Sequence, residues 1–258
     1  MTYQTIILTE ADGVATITLN RPEVMNALSS QMRAELLDAV RRAEKSARVI
    51  VLTGAGRAFC SGQDLGDGAN VAQIDLERTL RDEYEPLLRA IMDCRLPTIA
   101  AVNGAAAGAG ANLALACDVV IACESASFIQ AFTRIGLMPD AGGTYWLPRQ
   151  VGFARAMGAM LFADRITARP AADWGMIWEA VPADAVASHL AARAGALAKG
   201  PTVAYHGVKQ ALRQSYAHDL EAQLALEARL QGACGQTRDF KEGVVAFLEK
   251  RPPAFEGR

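Results

Sequence analysis

The feature that most constrains this chain is a unit that occurs twice. The apolar run Arg48–Leu52 (RVIVL) ends in Thr53-Gly54-Ala55-Gly56, and Pro97–Val102 (PTIAAV) ends in the glycine-rich stretch Asn103 to Gly110. Short continuous apolar runs read as strands buried on both faces, the pattern of parallel sheets. Parallel neighbours need a crossover, and a helical pattern precedes each run. The first starts at a Ser29 or Ser30 cap and runs to about Lys45, with Met32, Leu36, Leu37 and Val40 on its apolar face; the second covers about Ile74–Cys94. The two strand ends are 50 residues apart, so the chain reads as a loose repeat, an α/β spiral.

Around that repeat, Tyr3–Leu8 and Val14–Leu19 read as strands joined by an Asp12-Gly13 turn, and Asp118–Ala122 (DVVIA) as another buried strand. A polar, glycine-containing loop is expected to follow Thr53-Gly54-Ala55-Gly56 and run to about Asn70. Beyond Ala141 strand patterns nearly vanish, apart from a short one at Ile177–Val181. Helical periodicity takes over at 152–163, 168–174, 183–199, 201–215, 218–233 and 239–251. The expected fold class is α/β, with a spiral core over 1–195 and a helical C-terminal region over 196–258.

Composition removes several functions. The net charge of −2, with no Lys/Arg run, leaves no footprint for nucleic acid. Leu96 to Cys117 is uncharged and long enough to span a membrane, but it holds Pro97, Asn103, Asn112 and several glycines, so no span is expected. The odd count of five cysteines and an N-terminus without a leader pattern predict reduced thiols and a cytoplasmic protein. No cysteine or histidine cluster has metal-ligand spacing. A GxxxGxG at 104–110 and a Tyr205/Lys209 pair resemble dehydrogenase motifs, but about 100 residues precede the glycines, so a Rossmann reading fails and Tyr205/Lys209 reads as a helix face. His189, His206 and His218 all lie in the helical tail, far in sequence from every glycine-rich loop.

What remains is backbone chemistry. A loop that leaves a buried strand and opens a helix presents free N–H groups, and small residues let a ligand approach them. Phe59–Leu65 and Gly108–Leu113 both fit. Two such loops could aim two N–H groups at one carbonyl oxygen, or they could be close-packing turns.

Five segments, in order along almost the whole chain, carry a resemblance: ITLNRPEVMNAL at 17–28, AFCSGQDL at 58–65, AAVNGAAAGAGANLALACD at 100–118, GLMPDAGGT at 136–144 and AFLEKRPPAF at 246–255. Together they are similar to the crotonase (enoyl-CoA hydratase/isomerase) superfamily. The resemblance implies a spiral of repeated ββα units, a helical trimerisation region and acyl-CoA thioester substrates. Coenzyme A is then part of the substrate, with no separate cofactor, and a homotrimer or dimer of trimers is expected. The family's oxyanion N–H groups fall on Gln63 and Ala109; the latter replaces the usual middle glycine and still donates if its φ is negative. The CoA-contacting loops match Met25, Ala27, Ser61, Asp64 and Leu65. Phe247 and Lys250 match residues that reach the CoA of a neighbouring subunit.

The departures inform most. Where hydratases of the family carry two glutamates, this sequence has Asn112 and Phe132, which can neither deprotonate water nor protonate Cα. Classical hydration is therefore not expected. Asp140 stands where hydratases have glycine, and it reads either as a helix cap or as an acid/base in an apolar pocket lined by Phe132 and Leu137. Asn112 is expected to orient or polarise the substrate. NLALACD, SFIQAF, ARAMGAML and AADWGMIW are most similar to the ring-1,2-epoxyphenylacetyl-CoA isomerases of bacterial phenylacetate degradation, in which Asp140 falls on the acid/base carboxylate. Other readings stay open. These are simple Δ3,Δ2-enoyl-CoA isomerisation, residual hydration, an attacking Asp140 as in aryl-CoA dehalogenases, and a non-catalytic acyl-CoA-binding member.

Overall fold

A computed structural model describes residues 2–66 and 75–258. Two sheets are threaded by one spiral. The first has six strands in the order β1 (Ile6–Ala11), β2 (Val14–Leu19), β3 (Val49–Gly54), β5 (Thr98–Val102), β7 (Val119–Cys123) and β10 (Glu179–Val181); only β1 and β2 are antiparallel. The second has four short strands, β4 (Ala58–Cys60), β6 (Ala105–Ala107), β8 (Ser127–Ile129) and β9 (Ile166–Thr167). Each turn of the spiral lays one strand in each sheet before moving on, so β3, β5 and β7 stack in parallel, as do β4, β6 and β8.

The hairpin closes as its sequence requires: Asp12 (φ 52°) and Gly13 (φ 77°) both sit in the left-handed region. β1 begins three residues later than the periodicity predicts because the Gln4 and Thr5 N–H groups are taken by the Glu35 carboxylate, each at 2.8 Å. Helix α1 (Ser30–Ser46) is capped by Ser29, whose side chain accepts the Met32 N–H. The second predicted helix is α2 (Leu76–Thr79), one π turn over Leu80–Tyr84, and α3 (Glu85–Met92). Its predicted start at Ile74 and the end of the preceding loop at Asn70 lie outside the described residues.

Of the short strands of the second sheet, β4 falls in the expected polar loop and β6 in the glycine-rich stretch 103–110, while β8 and β9 carry no strand pattern in the sequence. Runs of two or three residues show no periodicity; β4, β6 and β8 become strands because successive turns of the spiral pair with one another. A helix of the same region, α4 (Ala109–Leu115), is buried along its whole length. Helix α5 (Gly143–Val151) begins earlier than the first helical periodicity beyond Ala141, and α6 (Phe153–Phe162) and α7 (Ala168–Asp173) follow it.

The main core lies between the first sheet and the helices of the spiral, filled by residues such as Ile17, Leu19, Leu36, Phe59, Leu113 and Phe128. The sheet's other face is covered by α8 (Val186–Ala198), which runs across residue 195; Ala194 and Ala198 bury against Val49, Val51, Ile99 and Ile121. Helix α9 (Thr202–Gln214) is tied to the core by Lys209, which donates to the Cys94 and Leu96 carbonyls and pairs with Asp118 at 2.8 Å. Helices α10 (Leu220–Gly235) and α11 (Arg238–Glu249) follow. All five cysteines are free thiols. Among the described residues no helix is long and apolar enough to cross a membrane, and no group of His, Cys, Asp or Glu could hold a metal ion.

Candidate active site

The two glycine-containing loops meet at one cavity. β4 runs into Ser61–Leu65, and Gln63 forms a parallel bridge with Leu28. The bridge uses the Leu28 N–H to the Gly62 carbonyl (2.8 Å) and the Asp64 N–H to the Leu28 carbonyl (3.2 Å). In a parallel ladder the intervening residue's N–H faces the other way, so the pairing leaves the Gln63 N–H unused and turned from Leu28. The second donor arises differently. Helix α4 makes its first internal bond from the Asn112 N–H to the Gly108 carbonyl (3.1 Å), which leaves the Ala109 N–H in the orphan first turn. Ala109 has the negative φ of a helical residue, so the donor survives the replacement of glycine.

Glycine brings the donors together at two points. Gly62 has φ 98°, and a Cβ there would lie 2.9 Å from the Ala107 carbonyl oxygen and 3.5 Å from the Ala109 nitrogen. At Gly110 a Cβ would stand 2.4 Å from the Cys60 carbonyl oxygen. A side chain at either position would push the loops apart.

The cavity, about 140 Å³, is lined by Ser61, Gln63, Ala109, Phe132, Leu137 and Asp140 among others. A wider cleft of about 760 Å³ adjoins it, sharing Leu80, Tyr84, Leu137 and Asp140 and continuing along Leu88, Met92, Met138 and Trp146. Asp140 is the only carboxylate lining the smaller cavity among the described residues. Burial pushes its carboxyl up to about 6, and its Oδ1 is buried without a hydrogen-bond partner among the described residues.

Asp140 does not cap a helix. The N-cap of α5 is Gly142, with no side-chain cap bond. The left-handed pair Ala141 (φ 47°) and Gly142 (φ 79°) turns the chain so that the Gly143 N–H donates to the Asp140 carbonyl at 2.9 Å. Asn112 Nδ2 donates to the same carbonyl at 2.8 Å, and Asn112 Oδ1 accepts from Gln130 Nε2 at 2.8 Å. Asn112 is fully buried, with both ends of its amide engaged, and is absent from the cavity lining. In this arrangement Asn112 holds the main chain beneath the carboxylate, rather than lining the cavity where substrate was expected to meet it.

The other predicted residues divide into two groups. Ser61 and Leu65 line the cavity. Met25, Ala27 and Asp64 form a rim beside it, stitched by Ser61 N–H to the Met25 carbonyl (3.0 Å), Arg21 Nη1 to the Ala27 carbonyl (2.8 Å) and the Arg21–Asp64 ion pair (2.7 Å). Burial works to raise the Asp64 carboxyl, but Arg21 and the Gly66 N–H outweigh it and hold it below the usual carboxylate value. Phe247 and Lys250 are not brought to this cavity. Phe247 is 82% exposed and lines an apolar groove with Val203, Phe240, Val244 and Phe255.

Sequence reasoning missed the residues that brace the site. Asn26, fully buried at φ 56°, donates to the Ala55 and Ala58 carbonyls, both at 2.9 Å, and fixes the rim to β4. Arg33 is 2% exposed although charged. Its signal was available: it lies next to Met32, three residues before Leu36, at the border of the apolar stripe of α1.

Comparison with known proteins agrees with this architecture. A family model described as Enoyl-CoA hydratase/isomerase matches residues 9–258. A protein of Rhodobacter capsulatus described as a probable enoyl-CoA hydratase is 65% identical over 100% of both chains. The 1,2-epoxyphenylacetyl-CoA isomerase of Escherichia coli is 45% identical, over 95% of this chain and 96% of its own. The crystal structure of an enoyl-CoA hydratase from Bacillus anthracis superposes with a TM-score of 0.92 at 34% identity, covering 99% of this chain and 100% of the other.

Proposed function

This chain belongs to the enoyl-CoA hydratase/isomerase family, the crotonase superfamily, and from that premise we propose that it isomerises acyl-CoA thioesters with a single carboxylate, Asp140. One observation carries the reading. The oxyanion donors Gln63 and Ala109 share a cavity with one partly buried carboxylate whose Oδ1 has no hydrogen-bond partner among the described residues and whose ionisation is pushed up by burial to about 6. Hydration asks for one group to activate water and normally a second to protonate Cα. A 1,3-proton shift asks for one.

In the proposed reaction the thioester oxygen accepts from the Gln63 and Ala109 N–H groups. Asp140 takes the proton from C2, the electron pair enters the carbonyl, and the two N–H groups stabilise the resulting dienolate. Asp140 then returns the proton to C4, and the double bond moves from C3–C4 into conjugation at C2–C3. No atom is gained or lost. Proton removal at C2 of a 2-(1,2-epoxy-1,2-dihydrophenyl)acetyl thioester is the entry to the oxepin-forming rearrangement, and the 45% identical E. coli isomerase favours that substrate. Phe247 and Lys250 contribute to CoA binding only in a homotrimer or dimer of trimers, where another copy presents them.

The test is direct. The protein is incubated with a 3-enoyl-CoA and with the phenylacetyl-CoA epoxide, and the conjugated product is followed by absorbance and mass. Product at unchanged mass from either supports the reading. Inertness toward both, with gain of one water by a 2-enoyl-CoA, would replace it with hydration, the activity for which the 65% identical relative is described.

A further inference from the structure

The reaction above uses only the main-chain N–H of Gln63, yet the side chain of Gln63 is anchored from two directions. Its Oε1 accepts from Arg33 Nη1 at 2.9 Å and from the Tyr84 hydroxyl at 2.5 Å. Arg33 Nη1 also donates at 2.6 Å to the Leu28 carbonyl, which receives the Asp64 N–H in the ladder. The same guanidinium is held by Glu83 (2.9 Å from Nε, 2.5 Å from Nη2) and lies 4.8 Å from the Tyr84 ring centroid. Tyr84 is the last residue of the π turn and lines both parts of the cavity. Helix α1, the Leu28 bridge and the π turn therefore converge on one amide oxygen.

Stability alone is a poor account of this. Burying a guanidinium costs several kcal/mol, and an ion pair in the interior commonly does no better than apolar packing. The geometry of the peptide plane gives a better one. The Gly62 carbonyl and the Gln63 N–H belong to one plane, held by a single bond from the Leu28 N–H. One bond fixes where the carbonyl points but lets the plane rock about that axis. Gly62 has no Cβ to limit the rocking. A second anchor on the side chain of residue 63 does limit it.

We propose that Arg33 and Tyr84 are positioning residues that, by gripping the Gln63 side chain, aim the Gln63 N–H at the thioester oxygen. The inference rests on the oxyanion pair of the reading above but not on what Asp140 does. Burial pushes the Tyr84 hydroxyl's ionisation up, so it stays a donor across the working pH range.

The test uses Tyr84→Phe, Gln63→Met and the double variant; both single changes keep the Gln63 N–H, and neither strands a charge. The first readout is the near-ultraviolet red shift of a bound 3-aryl-2-enoyl-CoA, which grows as the thioester carbonyl is polarised, together with the dissociation constant of that probe. The second is kcat and KM on a 3-enoyl-CoA. Each single variant is expected to lose part of the red shift and roughly ten-fold in kcat, less than the 10²–10³ for an oxyanion donor removed outright. KM and probe affinity should stay within about three-fold, and the double variant should be no worse than Gln63→Met, because both act on one contact. A full red shift and full kcat in Gln63→Met would overturn the proposal. So would a Tyr84→Phe loss that persists in the Gln63→Met background, which would put the Tyr84 hydroxyl on the substrate itself. If wild type turns over neither substrate, the isomerase reading fails, yet the red shifts still decide the positioning role.

Discussion

The cavity draws on two regions built in different ways. The loops that end β4 and β6 supply main-chain N–H groups, and their directions follow from a ladder and a helix start. The segment between the 3-10 turn at Ala131–Ile135 and α5 supplies one side chain, Asp140, from irregular backbone. The first region tolerates substitution because the chemistry is in the peptide bond; alanine replaces glycine at 109 without loss of the donor. The second has no such tolerance. Its carboxylate is specific, the Oδ1 has no hydrogen-bond partner among the described residues, and its main chain is held by a tether from Asn112, 28 residues earlier.

Four experiments press on that contrast, beginning with the largest expected effect. Asp140→Asn keeps the shape of the side chain and removes the base. Turnover should fall about 10²–10⁴-fold, the usual worth of a positioned acid/base, with acyl-CoA affinity within a few-fold by calorimetry. Undiminished turnover would end the carboxylate's claim. On the backbone side, Ala109→Pro deletes one donor at a helix position where proline is tolerated. The expected loss in kcat is about 10²–10³, whereas Ala109→Gly should be nearly silent. Equal losses in both variants would show that the side chain, not the N–H, matters there.

The pH profile separates the two regions again. The base must be deprotonated to accept the C2 proton, so kcat/KM should fall about ten-fold per unit below an apparent value near 6 and flatten above it. A limb near 4 would mean an ordinary exposed carboxylate. The same raised ionisation opposes folding. Its contribution to stability is full below the ordinary carboxylate value of 3.8 and is lost as pH rises through about 6. The smallest effect belongs to the tether. Asn112→Ala strands Gln130 Nε2 and loosens the Asp140 main chain. It should cost about 1–3 kcal/mol of stability, read from denaturant midpoints, and lower kcat with the acid limb unmoved.

The helices and long strands were legible because periodicity and caps are local: Ser29 caps α1 as its residue type predicts, and the RVIVL run forms the buried strand β3. The second sheet was not, since Ala105–Ala107 has no pattern until Ala58–Cys60 lies beside it. At the site, residue pattern alone left the two loops and Asp140 with two readings each; Gln63, Ala109 and Asp140 were singled out by the resemblance of the segments around them to the family. The burial of Arg33 could be suspected from its place beside the apolar stripe of α1, but the roles of Arg33, Tyr84 and Asn26 could not be read, because each acts through a partner distant in sequence. The bracing role of Asn112 is hidden in the sequence for the same reason, its partners Gln130 and the Asp140 carbonyl being visible only once folded.

By itself the sequence determined the repeat and the glycines that permit two loops to touch, which are statements about residue type and spacing; its resemblance to the family added that the two glutamates of hydratases are absent and one aspartate is present. The tertiary structure decided that Asp140 Oδ1 has no hydrogen-bond partner among the described residues and that burial raises the carboxyl, that Asn112 braces the Asp140 main chain, and that an arginine and a tyrosine grip the side chain of Gln63. Desolvation and hydrogen-bond satisfaction depend on which groups share a volume, and the order of residues along the chain does not contain that information.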